Sequence, residues 1–119
     1  MSDNEVMMNP DMFREFLCCG KKSNNVLSYV LLNVNQETNV LVASLDEIAK
    51  GSGVTKVTAS KIMTDCLKAG LMRKAGSYTW MLNPRAYYVG GDRERALLLR
   101  EYSAYPEYDE LQKNYVAQQ

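Results

Sequence analysis

Histidine is absent from this chain of 119 residues. That excludes a Ser-His-Asp triad, a Cys-His dyad, histidine-ligated zinc and any nicking centre whose metal is held by histidines. Cysteine is scarce. Cys18, Cys19 and Cys66 make an odd number without C-x-x-C spacing. Sequence neighbours seldom pair with each other, and a four-cysteine zinc site cannot be built within one chain, so the thiols read as buried or idle in a reducing compartment. No stretch of 18 apolar residues exists, so no transmembrane helix is expected. The opening MSDNEVMMNP is acidic and lacks the basic and apolar regions of a signal peptide. The expected address is the cytoplasm, with no membrane partner.

Net charge is also missing, since 14 basic residues face 14 acidic ones. The charge is unevenly placed, however. Residues 53–85 hold Lys56, Lys61, Lys68, Arg73, Lys74 and Arg85 against Asp65, a balance of +5. Residues 1–20 balance to −3 and residues 104–119 to −2. A basic centre between acidic ends is a local footprint for an anionic partner. With 46% hydrophobic content, the chain holds enough apolar material for one domain's core.

The order of elements comes from spacing and punctuation. Residues 1–10 read as a disordered N-terminus. Met12, Phe13, Phe16 and Leu17 form a short helical stripe after Pro10, over Asp11–Cys18. Ser23-Asn24-Asn25 offers caps for a second helix. Its dense run Val26, Leu27, Tyr29, Val30, Leu31 and Leu32 places it at the centre of the core. Asn39–Ala43 is short and β-branched, as a strand is. Ser44-Leu45-Asp46-Glu47 matches a capping box and opens a helix over Leu45–Lys50. Gly51-Ser52-Gly53-Val54 turns the chain sharply. Thr55 then caps a helix over Lys56–Ala69 with the apolar stripe Ala59, Ile62, Met63 and Cys66.

Leu71–Lys74 and Tyr78–Leu82 read as a hairpin around Ala75-Gly76-Ser77, closed by Asn83-Pro84. Tyr87-Tyr88-Val89 is extended. Asp92 is expected to cap a helix through about Glu101. Residues 103–119 form a C-terminal tail, with a weak helix over Tyr108–Val116. Ile48, Ile62 and Leu71 are expected in the core.

Helix, strand, helix, tight turn, helix and hairpin is the order of a winged helix-turn-helix. The expected fold class is therefore mainly α with a small β-hairpin wing, one DNA-binding domain over residues 11–102. In such a domain the second helix of the pair presents its polar face to the DNA major groove, which admits one helix. That face reads Thr55, Lys56, Val57, Thr58, Ser60, Lys61 and Thr64. Lysine donates to guanine O6 and N7, the hydroxyls serve bases or phosphates, and an exposed Val57 suits a thymine methyl. The helix N-terminus adds N–H groups for a phosphate. Arg73 and Lys74 on the wing, with Ser77 and Tyr78 near its tip, suit backbone contacts.

No catalytic site is expected. Tyr87 or Tyr88 as a nicking nucleophile would need a metal or a cationic clamp, and no carboxylate cluster accompanies the pair. One tyrosine in the core and one at the surface is the simpler reading. Gly51-x-Gly53 and Gly90-Gly91 lack the spacing of phosphate-cradling loops.

Two stretches together resemble the RepL type of firmicute plasmid replication protein. They are SLDEIAKGSGVTKVTASKIMTDCLKAGL (44–71) and WMLNPRAYYVGGDRERALLLREY (80–102). The helix-turn-helix is generic and shared with MarR-like regulators. The more specific element is Met81-Leu82-Asn83-Pro84 followed by Tyr87-Tyr88-Val89-Gly90 and a charged helix. Where the family commonly carries lysine before that glycine, this chain has Val89. The resemblance spans roughly residues 13–102. It implies an initiator that binds its plasmid origin, recruits host replication proteins and needs no cofactor.

A transcriptional repressor using the same domain on an operator, and a protein-interaction module with no DNA role, are the alternatives. A homodimer is expected, because a single recognition helix buries little surface. Its interface is expected in the N-terminal stripe (Met12, Phe13, Phe16, Leu17) and in the C-terminal residues Leu97, Leu98, Leu99, Tyr102, Tyr105 and Tyr108.

Overall fold

Short local signals set the helices, and one edge strand turns the hairpin into a sheet. In the computed structural model residues 6–17 and 20–109 are described, the side chains of 15–17 excepted. The order is β1 (Val6–Met8), α1 (Pro10–Leu17), α2 (Lys21–Asn33), β2 (Val40–Val42), α3 (Leu45–Ser52), α4 (Lys56–Lys68), β3 (Met72–Gly76), β4 (Thr79–Leu82), β5 (Tyr87–Val89) and α5 (Asp92–Ala104). Cys18, Cys19, the side chains of Phe16 and Leu17, and the tail helix beyond Asp109 lie outside the described residues.

Helix α3 starts where the capping box predicts. The Glu47 N–H donates to Ser44 Oγ and the Ser44 N–H donates to Glu47 Oε1, each at 3.1 Å. The helix runs two residues past its expected end, to Ser52. Gly51 is therefore helical, and its missing Cβ makes room for the Tyr29 ring: a methyl there would overlap Tyr29 Cε2. Gly53 makes the turn instead, with φ 71° and its N–H returning to Ala49 and Lys50 carbonyls. Thr55 caps α4, accepting from the Thr58 N–H at 3.1 Å.

The fold is mixed α/β: helices predominate, as expected, but the strands form small antiparallel sheets and not a hairpin alone. Strand β2 pairs antiparallel with β4, opposite β3, so the hairpin belongs to a three-stranded sheet ordered β2-β4-β3. The hairpin turn sits one position later than expected: Gly76 pairs with Thr79, leaving Ser77 and Tyr78 at the tip. The register slips between Lys74 and Gly76, a bulge in the wing. Trp80 faces inward and its Nε1–H donates to the Ala43 carbonyl at 3.2 Å, tying β4 to the end of β2.

The N-terminus departs from its expected disorder. Val6–Met8 pairs antiparallel with Tyr87–Val89, making a second, two-stranded sheet. The signal is weak in sequence because all three β1 side chains are exposed, so no alternation marks the strand. Asp92 is not the cap of α5. Gly91 takes the cap position without a side-chain bond, and Asp92 enters the first turn, where a carboxylate still suits the helix dipole.

The main core joins Phe13 of α1, Val26, Leu27 and Val30 of α2, Ile48 of α3, Ile62, Met63 and Cys66 of α4, Leu71 next to β3, and Trp80 and Leu82 of β4. Ile48, Ile62 and Leu71 are buried as expected. A second cluster of Met81, Tyr88, Leu98 and Tyr102 seats α5 on the outer face of the sheet. Tyr88 is buried, as expected of one of the pair, while Tyr87 is half-buried and packs against the main core instead of lying at the surface. Burial pushes the Cys66 thiol up to about 12, with Asp65 adding to the shift, so it packs as an apolar side chain. No helix among the described residues is long and apolar enough to cross a membrane.

Asn39 holds the two sheets together. It is fully buried in a left-handed conformation, φ 59°, which asparagine tolerates better than most residues. Its Nδ2 donates to the carbonyls of Leu82 (3.1 Å) and Tyr87 (2.9 Å), and so spans β4 and β5.

Candidate nucleic-acid interface

Burial of Ala59, Ile62, Met63 and Cys66 fixes the rotation of α4. The opposite face then carries Lys56, Val57, Ser60, Lys61 and Thr64 at three- and four-residue spacing. Lys56, Val57 and Lys61 are exposed, and Ser60 and Thr64 are half-buried. Val57 is 80% exposed, an apolar side chain held in water at the centre of a polar row. Thr55 and Thr58 serve the helix start first: the Thr55 hydroxyl donates to Thr58 Oγ1 at 2.9 Å besides accepting from the Thr58 N–H. Lys56 lies 3.5 Å from Asp46 of α3 with both side chains exposed, an ion pair weak enough to exchange for another anion.

The wing divides differently. Ser77 and Tyr78 project at the tip, Tyr78 61% exposed. Lys74 lies over the Trp80 ring, 4.6 Å from its centroid. Arg73 points away from the row on α4. Its Nη1 donates to the carbonyls of Tyr102 (3.1 Å) and Tyr105 (2.9 Å), and its Nη2 reaches Glu107 Oε1 at 3.2 Å. Its guanidinium stacks on the Tyr102 ring at 4.6 Å. The side chain is only 19% exposed. Arg73 thus fastens the C-terminal segment to β3, and the expectation that it meets phosphate does not fit its geometry. The sequence carries no hint of this, because its partners lie 29 to 34 residues ahead.

The Asn83-Pro84 element acts at the same junction. Asn83 Nδ2 donates to the Gly70 carbonyl at 3.0 Å, the Asn83 N–H donates to the Leu71 carbonyl at 2.8 Å, and Asn83 Oδ1 accepts from the Arg85 N–H. These bonds set the angle at which the chain leaves α4 and enters the wing. The Arg95 Nε–H donates to the Pro84 carbonyl at 3.2 Å, so the charged helix after the aromatic pair locks onto the same turn.

Some of the residues expected to pair two copies are committed within one. Phe13 is buried against α2, and Leu98 and Tyr102 are buried on the sheet. Leu97 is exposed.

Lys22 escaped the sequence reading. It stands in the first turn of α2 and lines an open groove of about 880 Å³ whose other wall includes Val57 and Lys61 of α4. The pair Lys21-Lys22 after Gly20 was the available signal.

A capped two-helix turn, an outward helix with a lysine row, and a three-stranded sheet with a projecting hairpin are compatible with a winged helix-turn-helix. No solved structure matches the chain. The chain belongs to the firmicute plasmid replication protein (RepL) family, whose pattern matches residues 6–119. A protein named replication and maintenance protein from Staphylococcus aureus is 33% identical over 99 residues, covering 80% of this chain and 60% of the relative. A protein of the same name from Staphylococcus epidermidis is also 33% identical, covering 80% and 59%. One from Bacillus subtilis is 34% identical over 86 residues, covering 70% and 56%. The chain thus spans about six-tenths of the length of the relatives it matches.

Proposed function

We propose that this protein is a sequence-specific, double-stranded DNA-binding protein that initiates plasmid replication by binding its origin through a winged helix-turn-helix. The observation that carries the reading is the outward row of α4: Lys56, Val57, Ser60, Lys61 and Thr64 on the face opposite the buried stripe. Lysine ammonium groups, hydroxyls and one exposed branched methyl side chain are the groups a major-groove reader uses. Membership of a plasmid replication family favours an origin over an operator as the target. The work is binding, not catalysis: the protein marks the origin and host replication proteins act there.

Two copies on paired half-sites complete the reading, since one small recognition helix supplies little interface. Besides Val57 and Tyr78, the large apolar side chains left exposed for such pairing among the described residues are Val6, Met7 and Met8 of β1, Leu32 of α2, Val42 of β2 and Leu97 of α5. Sedimentation at micromolar concentration tests this, and a monomer both free and on DNA would overturn it.

Selection of bound duplexes from a random pool, with the enriched sequence mapped onto the source replicon, tests the function. A single enriched sequence at the replication origin is expected. No salt-dependent duplex binding, or enrichment only at promoters, would overturn the proposal.

A further inference from the structure

We propose that the groove between the first turn of α2 and the outward face of α4 seats the sugar-phosphate backbone of duplex DNA, with Lys22 and Lys61 as its cationic walls. This rests on the reading of α4 as the major-groove helix. An α-helix with its side chains is about 10–12 Å across, and the major groove is about 12 Å wide. A helix lying there is therefore flanked by a phosphate strand on each side. On one side stands the wing. It offers less charge than its sequence promises, because Arg73 is tied to the C-terminal segment and Lys74 lies over Trp80. On the other side stands the groove, about 880 Å³, continuous with the row on α4 because Val57 and Lys61 belong to both.

The groove's charge suits a phosphate strand. Lys22 and Lys61 are exposed, and neither has a carboxylate within ion-pair distance among the described residues. The first turn of α2 contains no acidic residue, and Gly20 before it has no side chain to cap it. Ser23 adds a hydroxyl on the same wall. The positive end of the α2 dipole reinforces the two lysines. Two carboxylates also line the groove. Asp11 is bound by Arg14 at 2.9 Å, which leaves Asp65 as the one set against the cations. Lys68 completes the lining and lies 5.5 Å from the Tyr108 ring centroid.

Backbone contact and base contact have different signatures. Each phosphate neutralised contributes roughly 0.9 to the slope of log affinity against log salt, whatever the sequence. The test titrates the selected duplex and a random duplex of equal length, over a series of salt concentrations, with the wild-type protein and with Lys22→Ala, Lys22→Arg and Arg100→Ala. Arg100 is exposed on α5 and serves as a charge control. Lys22→Ala is expected to lose several-fold in affinity on both duplexes and to flatten the slope by roughly 0.9. Lys22→Arg is expected to restore both, and Arg100→Ala to leave both unchanged. A wild-type slope retained by Lys22→Ala would overturn this proposal while leaving the DNA reading intact. Loss on the selected duplex alone would overturn it in favour of a base contact. A wild-type protein that binds neither duplex would overturn the DNA reading itself.

Discussion

Helix α4 and strand β3 share the basic centre of the chain but hold their charge in opposite ways. On α4 the cations face water: Lys61 has no carboxylate within ion-pair distance among the described residues, and Lys56 touches Asp46 across 3.5 Å of exposed surface. On β3 they are turned to the protein's own use, Arg73 bound to two carbonyls, a carboxylate and a ring, Lys74 laid over Trp80. Summed charge along a sequence counts both alike. What separates them is whether a tertiary partner lies within reach: for Arg73 it is α5 and the segment after it, and for Lys74 the Trp80 ring of β4. The positive charge of the chain's centre is thus divided between a row that faces water and a strut that holds the wing.

The comparison depends first on the rotation of α4. Ile62→Ala removes a buried branched side chain from the face opposite the lysines, and a cost of roughly 2–5 kcal/mol is expected. Thermal or denaturant unfolding measures it. A loss below 0.5 kcal/mol would mean that the helix is turned otherwise and that the row is not the outward face.

That rotation was legible in sequence, as was the capping box, because both rest on contacts within one helical turn. Positions set by distant partners were not. Asn39 reads as the start of a strand, yet it is a buried left-handed residue bonded to Leu82 and Tyr87, more than forty residues away. β1 carries no alternation and is a strand only because β5 offers an edge. Lys56, Val57 and Lys61 were placed on the outward face by periodicity alone. The bonds of Arg73 to Tyr102, Tyr105 and Glu107 were not legible either, because they depend on the docking of residues 29 to 34 positions on.

Arg73→Ala should divide the two regions next. The guanidinium bonds to two carbonyls and a carboxylate while largely shielded from water, and a stability loss of about 1.5–3 kcal/mol is expected. The salt slope of DNA binding should stay that of the wild type once the protein is folded. A flattened slope with unchanged melting would reverse the assignment and return Arg73 to the DNA surface.

Lys61→Ala should do the converse. Its side chain is exposed, so unfolding should move by less than about 0.5 kcal/mol. Binding to the selected and to a random duplex should weaken alike, several-fold, with the salt slope flattened by roughly 0.9, because the ammonium walls the backbone groove. Competition binding between the two checks it, and a loss confined to the selected duplex would move Lys61 from backbone to base contact.

The smallest effect lies where the two regions meet. Tyr102 sits under Arg73, and its hydroxyl donates to the Gly70 carbonyl at the end of α4 at 3.2 Å. Tyr102→Phe keeps the ring for the guanidinium and loses only that bond. The Gly70 carbonyl still accepts from Asn83, so no orphaned acceptor remains. The cost should be about 0.5–1.5 kcal/mol at neutral pH. Burial raises the Tyr102 hydroxyl from 10.0 to about 12, against the lowering effect of Arg73. Because the folded value is the higher one, the neutral hydroxyl stabilises the fold fully below pH 10. Above that the unfolded chain ionises first, and the contribution is lost as pH rises towards 12. Stability of the wild-type protein should therefore fall more steeply between pH 10 and 12 than that of Tyr102→Phe, in paired denaturant titrations. Cys66 and the remaining tyrosines contribute equally to both proteins, so the difference isolates this hydroxyl. Parallel curves would mean that the Tyr102 hydroxyl is hydrated, and that α5 is held to the end of α4 by Arg73 and packing alone.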